Sequence, residues 1–418
     1  MSRVRTPDRA VEITVFGVYA PGMVVLFFNS NGELYSIKYF EKSYRNIWEL
    51  KIAFYGDIST IFSVKYLSGN GAKNLNTKVY HVAKDKKGYI LKSAAQIIQN
   101  GGLLAIPTET VYGLGANALD GKAVLGIFEA KGRPQDNPLL IHIPDASWLE
   151  RYCEDIPPLA YKLAEIFWPG PLTMILKSKA CIPKETTCGL KTVGVRCPDN
   201  EVTAEIIRMA GVPVAAPSAN RSGHPSCTTA EAVFEDFAGK IAGIVDGGAC
   251  QVGVESTILD MTVAPPKLLR PGGLSLEDIR KVVPEVETDE SIYRQLREGE
   301  KPKAPGMKYR HYAPKAPVTA VFGEGRKSAD YIKAQIKNGE GVICYEEYLD
   351  VFDGYESRSL GKEGAPREHA QRVFEALRSF DRTDVTHIWT QCPGEEGLDL
   401  AVSNRIKKAA GFHVINVE

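Results

Sequence analysis

The chain has 418 residues, a length that at about 150 residues per domain predicts two to three domains. Its 51 Lys and Arg balance 51 Asp and Glu, so it carries no bulk positive charge for holding duplex nucleic acid. A hydrophobic fraction of 44% argues against wholesale disorder, and no apolar run approaches the roughly 18 residues of a membrane helix.

The run Met23 to Phe28 is too short for a signal segment and lacks the basic flank of one. A cytoplasmic chain with no membrane partner is therefore expected. The eight cysteines form no C-x-x-C pair and the seven histidines no H-E-x-x-H, so no protein-held metal site is expected.

Residues 1–78 read as an N-terminal extension of doubtful status. Val24 to Phe28, an Asn31-Gly32 turn and Leu34 to Phe40 suggest a hairpin, and Ile58 to Leu67 a further strand. One reading is a small β-rich addition. The favoured one places the true start near Asn76, with Leu75 as initiator from a non-AUG codon. Poor order is expected in either case.

Residues 79–284 have α/β texture. Helix Ile90 to Gln99 closes at Gly101-Gly102, strand Leu103 to Pro107 follows, and Thr108 to Gly115 reads as a polar loop. Helix Ala123 to Lys131 ends at Gly132. Strands are expected at Leu139 to Ile143, Leu172 to Leu176, Thr192 to Arg196, Val212 to Ala216, Ile241 to Asp246 and Ser256 to Met261. Helices are expected at Trp148 to Phe167, interrupted by Pro157-Pro158, and at Val202 to Met209. Residues 285–316 lose periodicity and read as a linker with one short helix, Ile292 to Arg297. In residues 317–418, strands Val318 to Phe322, Gly341 to Tyr345 and Thr386 to Thr390 alternate with helices Ser328 to Lys337, Arg367 to Ser379 and Leu398 to Lys408, which predicts a small parallel α/β domain.

No standard nucleotide motif is present: Gly323 to Ser328 lacks the P-loop spacing, and there is no G-x-S-x-G elbow. Three constellations carry chemistry. Pro107-Thr108-Glu109-Thr110-Val111-Tyr112-Gly113-Leu114 follows a strand with two hydroxyls, a carboxylate and a phenol, suited either to a small polar ligand or to satisfying a turn. Lys131-Gly132-Arg133, followed by Asn137 and His142, offers two cations that could grip an anion or merely complement a helix dipole. Pro217-Ser218-Ala219-Asn220 runs a strand into small polar residues that admit a ligand close to the backbone. Ser256-Thr257 at a strand start carries little alone, and an ordinary turn explains Arg270-Pro271-Gly272-Gly273 well enough.

In this order, the Pro107 to Leu114 loop, Lys131-x-Arg133, Ser218-x-Asn220, Glu255-Ser-Thr and Arg270-Pro-Gly-Gly resemble the YrdC family of threonylcarbamoyl-AMP synthases over roughly Val79 to Val283. Tyr309-Arg-His-Tyr-Ala-Pro314 and Asn404-Arg405-Ile406 resemble the family's longer two-domain form. The resemblance implies a twisted mixed-sheet α/β domain with a large concave basic cavity, plus a smaller parallel, Rossmann-like α/β domain.

It also implies a reaction in which L-threonine, bicarbonate and ATP give threonylcarbamoyladenylate and pyrophosphate. Mg2+ would arrive with ATP. A separate transferase complex would pass the threonylcarbamoyl group to the tRNA adenosine beside the anticodon. By resemblance, Thr110, His142, Arg196, Ala216 (through its backbone) and Ser256 hold threonine. Arg133, Asn137, Thr192, Ser218, Asn220, Ser226 and Arg270 hold ATP. Lys131 and Arg133 are the expected catalytic cations, and Tyr312 in the linker is expected to close the site as a lid. The competing reading is a double-stranded RNA or tRNA-binding module. A weak direct contact with tRNA is compatible with either.

Overall fold

A computed structural model gives the architecture. It describes residues 77–82, 87–294, 302, 304–305 and 311–417, and between 13 and 68 the backbones of strands alone. Among these, Gly22–Phe28, Leu34–Glu41, Asn46–Tyr55 and Ile58–Ser68 form an antiparallel run, whose last member pairs with Thr77–His81. The three strands expected there are present, and Asn46–Tyr55 joins them. The Asn31-Gly32 turn, the start near Asn76 and the order of the segment lie outside the described residues.

The principal elements of the first unit are β1 (Thr77–His81), α1 (Lys87–Gln99), β2 (Leu104–Ile106), β3 (Gly113–Asn117), α2 (Gly121–Lys131), β4 (Leu140–His142) and α3 (Pro158–Phe167). They continue with β5 (Leu172–Ser178), β6 (Thr192–Arg196), α4 (Glu201–Ala210), β7 (Val214–Ala215), α5 (Ala230–Phe237), β8 (Gly243–Asp246), β9 (Thr257–Asp260) and β10 (Lys267–Arg270). Pairing gives the order β1-β8-β2-β3-β7-β4-β6-β5-β9-β10. The sheet is mixed: β1/β8, β8/β2, β4/β6 and β5/β9 are parallel and the other contacts antiparallel.

Local chemistry sets the helix ends. Asp120 caps α2 by accepting from the amides of Lys122 and Ala123, and Gly132 closes it in the left-handed region at φ 63°. Asn200 caps α4 through Thr203 N. The α1 and α4 faces join the apolar core through Ile90, Ala94, Ile98, Ile206 and Ile207.

The second unit contains β11 (Val318–Phe322), α6 (Gly325–Gln335), β12 (Gly341–Cys344), β13 (Glu356–Ser359), α7 (Pro366–Ser379), β14 (Ile388–Cys392), α8 (Asp399–Ala409) and β15 (Val414–Asn416). Its five strands are all parallel, in the order β13-β12-β14-β11-β15. The fold class is therefore as the sequence implied, a mixed-sheet α/β unit followed by a smaller parallel one.

The two units share an apolar cluster. Val111 and Val254 of the first pack with Tyr312 of the connecting segment and with Phe374 and Ile406 of the second. Three differences from the sequence reading bear on the site and the connecting segment. Gly113–Asn117 is a strand rather than the end of a loop, because it is bonded on both sides, to β2 and β7. Lys267–Arg270 is an antiparallel partner of β9, so the Arg-Pro-Gly-Gly turn leaves a strand. The short linker helix is a 3-10 turn at Glu290–Ile292, held by Asp289 accepting from Ser291 N, and residues 295–297 of the expected helix lie outside the described residues.

Candidate active site

The loop after β2, the end of α2, the ends of β4 and β6, the loop after β7 and the Glu255–Ser256 segment converge on one cavity. Pro305, His311 and Tyr312 of the connecting segment line it as well.

One end is built around Arg196. β6 runs beside β4, which pairs Arg196 with His142 across the sheet. The Arg196 guanidinium donates through Nη1 to Thr110 Oγ1 at 2.8 Å and through Nε to the Gly170 carbonyl at 3.3 Å. Its Nη2 lies 2.6 Å from Glu109 Oε2, but the angle leaves neither atom in an aligned hydrogen bond. An arriving carboxylate can therefore compete for that nitrogen with good bidentate geometry. Thr110 Oγ1 also lies 2.8 Å from Thr108 Oγ1.

His142 is buried, and its Nδ1 meets no protein partner. Burial, and then the neighbouring Arg196 charge, push its pKa down to about 3. The ring is thus a neutral imidazole at ordinary pH, with a nitrogen available to a bound ligand. Ala216 sits beside it, its amide held by the Leu140 carbonyl, and Ser256 Oγ lies 2.8 Å from Thr173 Oγ1.

The other end is cationic. Lys131, the last residue of α2, is buried, and its Nζ donates to the carbonyls of Ser218 (2.6 Å) and Asn220. Ser218 Oγ in turn donates to Asn220 Oδ1 at 2.5 Å. Burial, and then Arg133, lower the Lys131 pKa to about 7. Arg133 donates to the carbonyls of Asn137 (3.1 Å) and Pro138 (3.0 Å).

Arg270, at the end of β10, donates to Ser256 O at 2.9 Å and Ser256 Oγ at 3.2 Å. The turn after it needs glycine. A Cβ at Gly272 would meet the Ser256 and Thr257 backbone at 2.3 Å, so the turn is pressed against the strand that carries Ser256. Burial lowers both Arg133 and Arg270 to about 10. Among the described residues, Lys131, Arg133 and Arg270 meet backbone carbonyls and a hydroxyl but no carboxylate within 4 Å.

Most residues singled out in the sequence meet here: Thr110, Lys131, Arg133, His142, Arg196, Ala216, Ser218, Asn220, Ser256, Arg270 and Tyr312 all line the cavity. Three stand behind or beside it. Asn137 is buried next to Arg133 with its Oδ1 unpartnered, Ser226 is buried with its hydroxyl on Glu255, and Thr192 opens β6 opposite Lys177. Glu255 and His311 line the cavity without having been assigned a role. Their signal was present, since each sits inside a quoted motif, but nothing in sequence spacing says which side chain of a motif faces inward.

Comparison with known proteins agrees with this geometry. Residues 96–272 match a family described as Telomere recombination, and residues 274–411 one described as Threonylcarbamoyl-AMP synthase, C-terminal domain. A threonylcarbamoyl-AMP synthase of Pyrococcus abyssi is 47% identical over 82% of this chain and all of its own length. One from Bacillus subtilis is 44% identical over 78% of this chain and 94% of its own. The crystal structure of P. abyssi Sua5 complexed with L-threonine superposes with a TM-score of 0.76 at 46% identity, covering 81% of this chain and 99% of that one. The chain belongs to the threonylcarbamoyl-AMP synthase family, in its two-domain form.

Proposed function

We propose that this chain is an ATP-dependent L-threonylcarbamoyladenylate synthase, a nucleotidyltransferase that supplies the threonylcarbamoyl group for tRNA modification. One observation carries the reading. A single cavity joins an end fitted to an amino acid, where Arg196, Thr110 and His142 meet, to an end where Lys131, Arg133 and Arg270 meet no carboxylate among the described residues. The relative from P. abyssi whose structure superposes on this chain was crystallised with L-threonine.

The Arg196 fork takes the threonine carboxylate, Thr110 and Ser256 take its polar groups, and the neutral His142 accepts a hydrogen bond from it. The threonine nitrogen bonds to the carbon of bicarbonate, water leaves, and a carbamate results. A carbamate oxygen then attacks the α-phosphorus of ATP. The bond from that phosphorus to the bridging oxygen breaks, and pyrophosphate departs.

The protein contributes proximity and positive charge rather than a covalent intermediate. Lys131 and Arg133 face the charge that grows on the phosphoryl oxygens, while Ser218 and Asn220 orient the nucleotide. Mg2+ enters bound to ATP as part of the substrate. Tyr312 covers the reacting groups and limits hydrolysis of the mixed anhydride. The product then passes to a separate transferase.

Pyrophosphate release from ATP by the purified full chain tests this. The expected result is release that requires both L-threonine and bicarbonate, with L-serine a poor substitute. Release independent of threonine would sink the reading.

A further inference from the structure

The cavity is lined mainly by the first unit, yet one wall of it is held by a side chain from the second. Glu255 lines the cavity and is buried. Its Oε1 accepts from Ser226 Oγ at 2.8 Å and its Oε2 accepts from Arg405 Nε at 3.0 Å, while burial and then its charge push the Tyr312 phenol up to about 12. Arg405 lies on α8 and is fully buried. Its Nη1 donates to the Pro271 carbonyl at 2.6 Å, directly after Arg270, and its guanidinium stands 5.7 Å from the centre of the Tyr312 ring. Arg405 does not itself line the cavity, so it acts on a ligand through these neighbours.

The placement has an electrostatic consequence. Burial alone would push the Glu255 carboxyl up, but Arg405 and then Arg270 hold it down at about 2, so it stays a charged acceptor. A second contact between the units runs the same way. A Cβ at Gly253, whose φ is +86°, would meet the Ala370 carbonyl of α7 at 2.3 Å. The loop pressed against α7 donates from Val252 N to Glu109 O at 2.7 Å and from Gly253 N to Thr110 O at 3.1 Å. The second unit therefore braces both ends of the cavity, and at Arg405 it does so with a charged side chain that reaches Glu255, the Pro271 carbonyl and the Tyr312 ring.

We propose that Arg405 is a positioning residue of the adenylate-forming site, which places the Tyr312 ring beside its guanidinium and, through Glu255 and the Pro271 carbonyl, fixes Arg270 around the reacting phosphate. This rests on the synthase reading above. The planar fork matters, because one guanidinium spans a carboxylate and a carbonyl that an ammonium would have to choose between. The second unit then sets catalytic geometry as well as stability, and the site is incomplete without it.

The test uses full-length wild type, R405M, R405K, E255Q and the R405M/E255Q double variant. R326A, an exposed charge on α6, serves as the control for charge loss in the same unit. Threonine- and bicarbonate-dependent pyrophosphate release gives kcat and KM, calorimetry gives threonine binding, and melting confirms folding. R405M is expected to lose about 100-fold in kcat while threonine affinity changes by less than about threefold. R405K should recover part of that loss. The double variant should be no slower than R405M by more than about twofold, because the two residues act as a unit. If R405M does not melt cooperatively, R405K decides, with an expected kcat about tenfold below wild type.

Wild-type kcat in R405M or R405K overturns the inference, as does a double variant whose loss is the product of the two single losses. A wild-type chain without threonine-dependent release overturns the synthase reading and this inference with it. Active wild type beside an active R405M overturns this inference alone.

Discussion

Arg196 and Lys131 are both buried cations in one cavity, but their surroundings differ. Arg196 already has a carboxylate beside it, at 2.6 Å from Glu109, whereas among the described residues Lys131 donates to the carbonyls of Ser218 and Asn220. A paired guanidinium retains its orientation without a ligand and gives it up to a better-aligned carboxylate. A lysine held only by carbonyls bears the cost of burial until an anion arrives, and its lowered pKa records that cost. On the proposed function, one end is thus preorganised for an amino acid, and the other is held in tension for a polyphosphate. If the distinction is real, damage at the two ends will differ in kind.

The largest effect is expected from K131M. It should cut kcat/KM for ATP by about 100- to 1000-fold in steady-state pyrophosphate release, since it removes a charge facing the transition state. Its effect on folding should have the opposite sign. The folded-state pKa of Lys131, about 7, lies below the unfolded value near 10.5. The buried charge therefore costs stability in full below pH 7, and that cost fades as pH rises toward 10.5. Melting without ATP should find K131M more stable than wild type at pH 6–7, with the gap closing by pH 10. A gap that widened with pH would contradict the assignment.

R196M should act on binding instead. We expect threonine affinity by calorimetry to fall about 100-fold while ATP affinity changes little, and R196K to restore only part because it lacks the bidentate fork.

The pH dependence sharpens the same contrast. Lys131 loses its proton as pH rises through about 7, so kcat/KM for ATP should decline above that value in wild type. K131R should remove this limb, because arginine stays charged. His142, held down at about 3, should add no acid limb between pH 5 and 7. The smallest effect is predicted for T192A. Thr192 opens β6 outside the cavity lining, and its side-chain loss should change kcat/KM by less than about threefold.

How much of this was legible in the sequence varies with the physics. β6 and β11 were read with their observed bounds, because Thr192 to Arg196 and Val318 to Phe322 are short β-branched runs between turn signals. β3 was missed, since Gly-Leu-Gly-Ala-Asn carries no β-propensity; its place between β2 and β7 is a tertiary fact. The site was legible as motifs, and most of their polar residues do line one cavity. What the sequence could not carry is contact at long range. The Glu255–Arg405 pair joins residues 150 apart, and Arg378 reaches from α7 to Asp236 of α5 across 142. Each looks, in one dimension, like an ordinary helix charge. Ser226 shows the same limit: the resemblance gave it to ATP, and nothing in the sequence announces that its hydroxyl donates to Glu255, 29 residues on.

The central claim is that both ends of the cavity serve one reaction. It is tested most directly by incubating the full chain with L-threonine, isotopically labelled bicarbonate and ATP labelled at the α-phosphate, then resolving the nucleotide products. The account predicts one new species carrying the bicarbonate carbon and the α-phosphate in equal amounts, with an equal amount of pyrophosphate, absent when threonine is left out. Labelled AMP without the carbon label, or any product formed equally well without threonine, would contradict it.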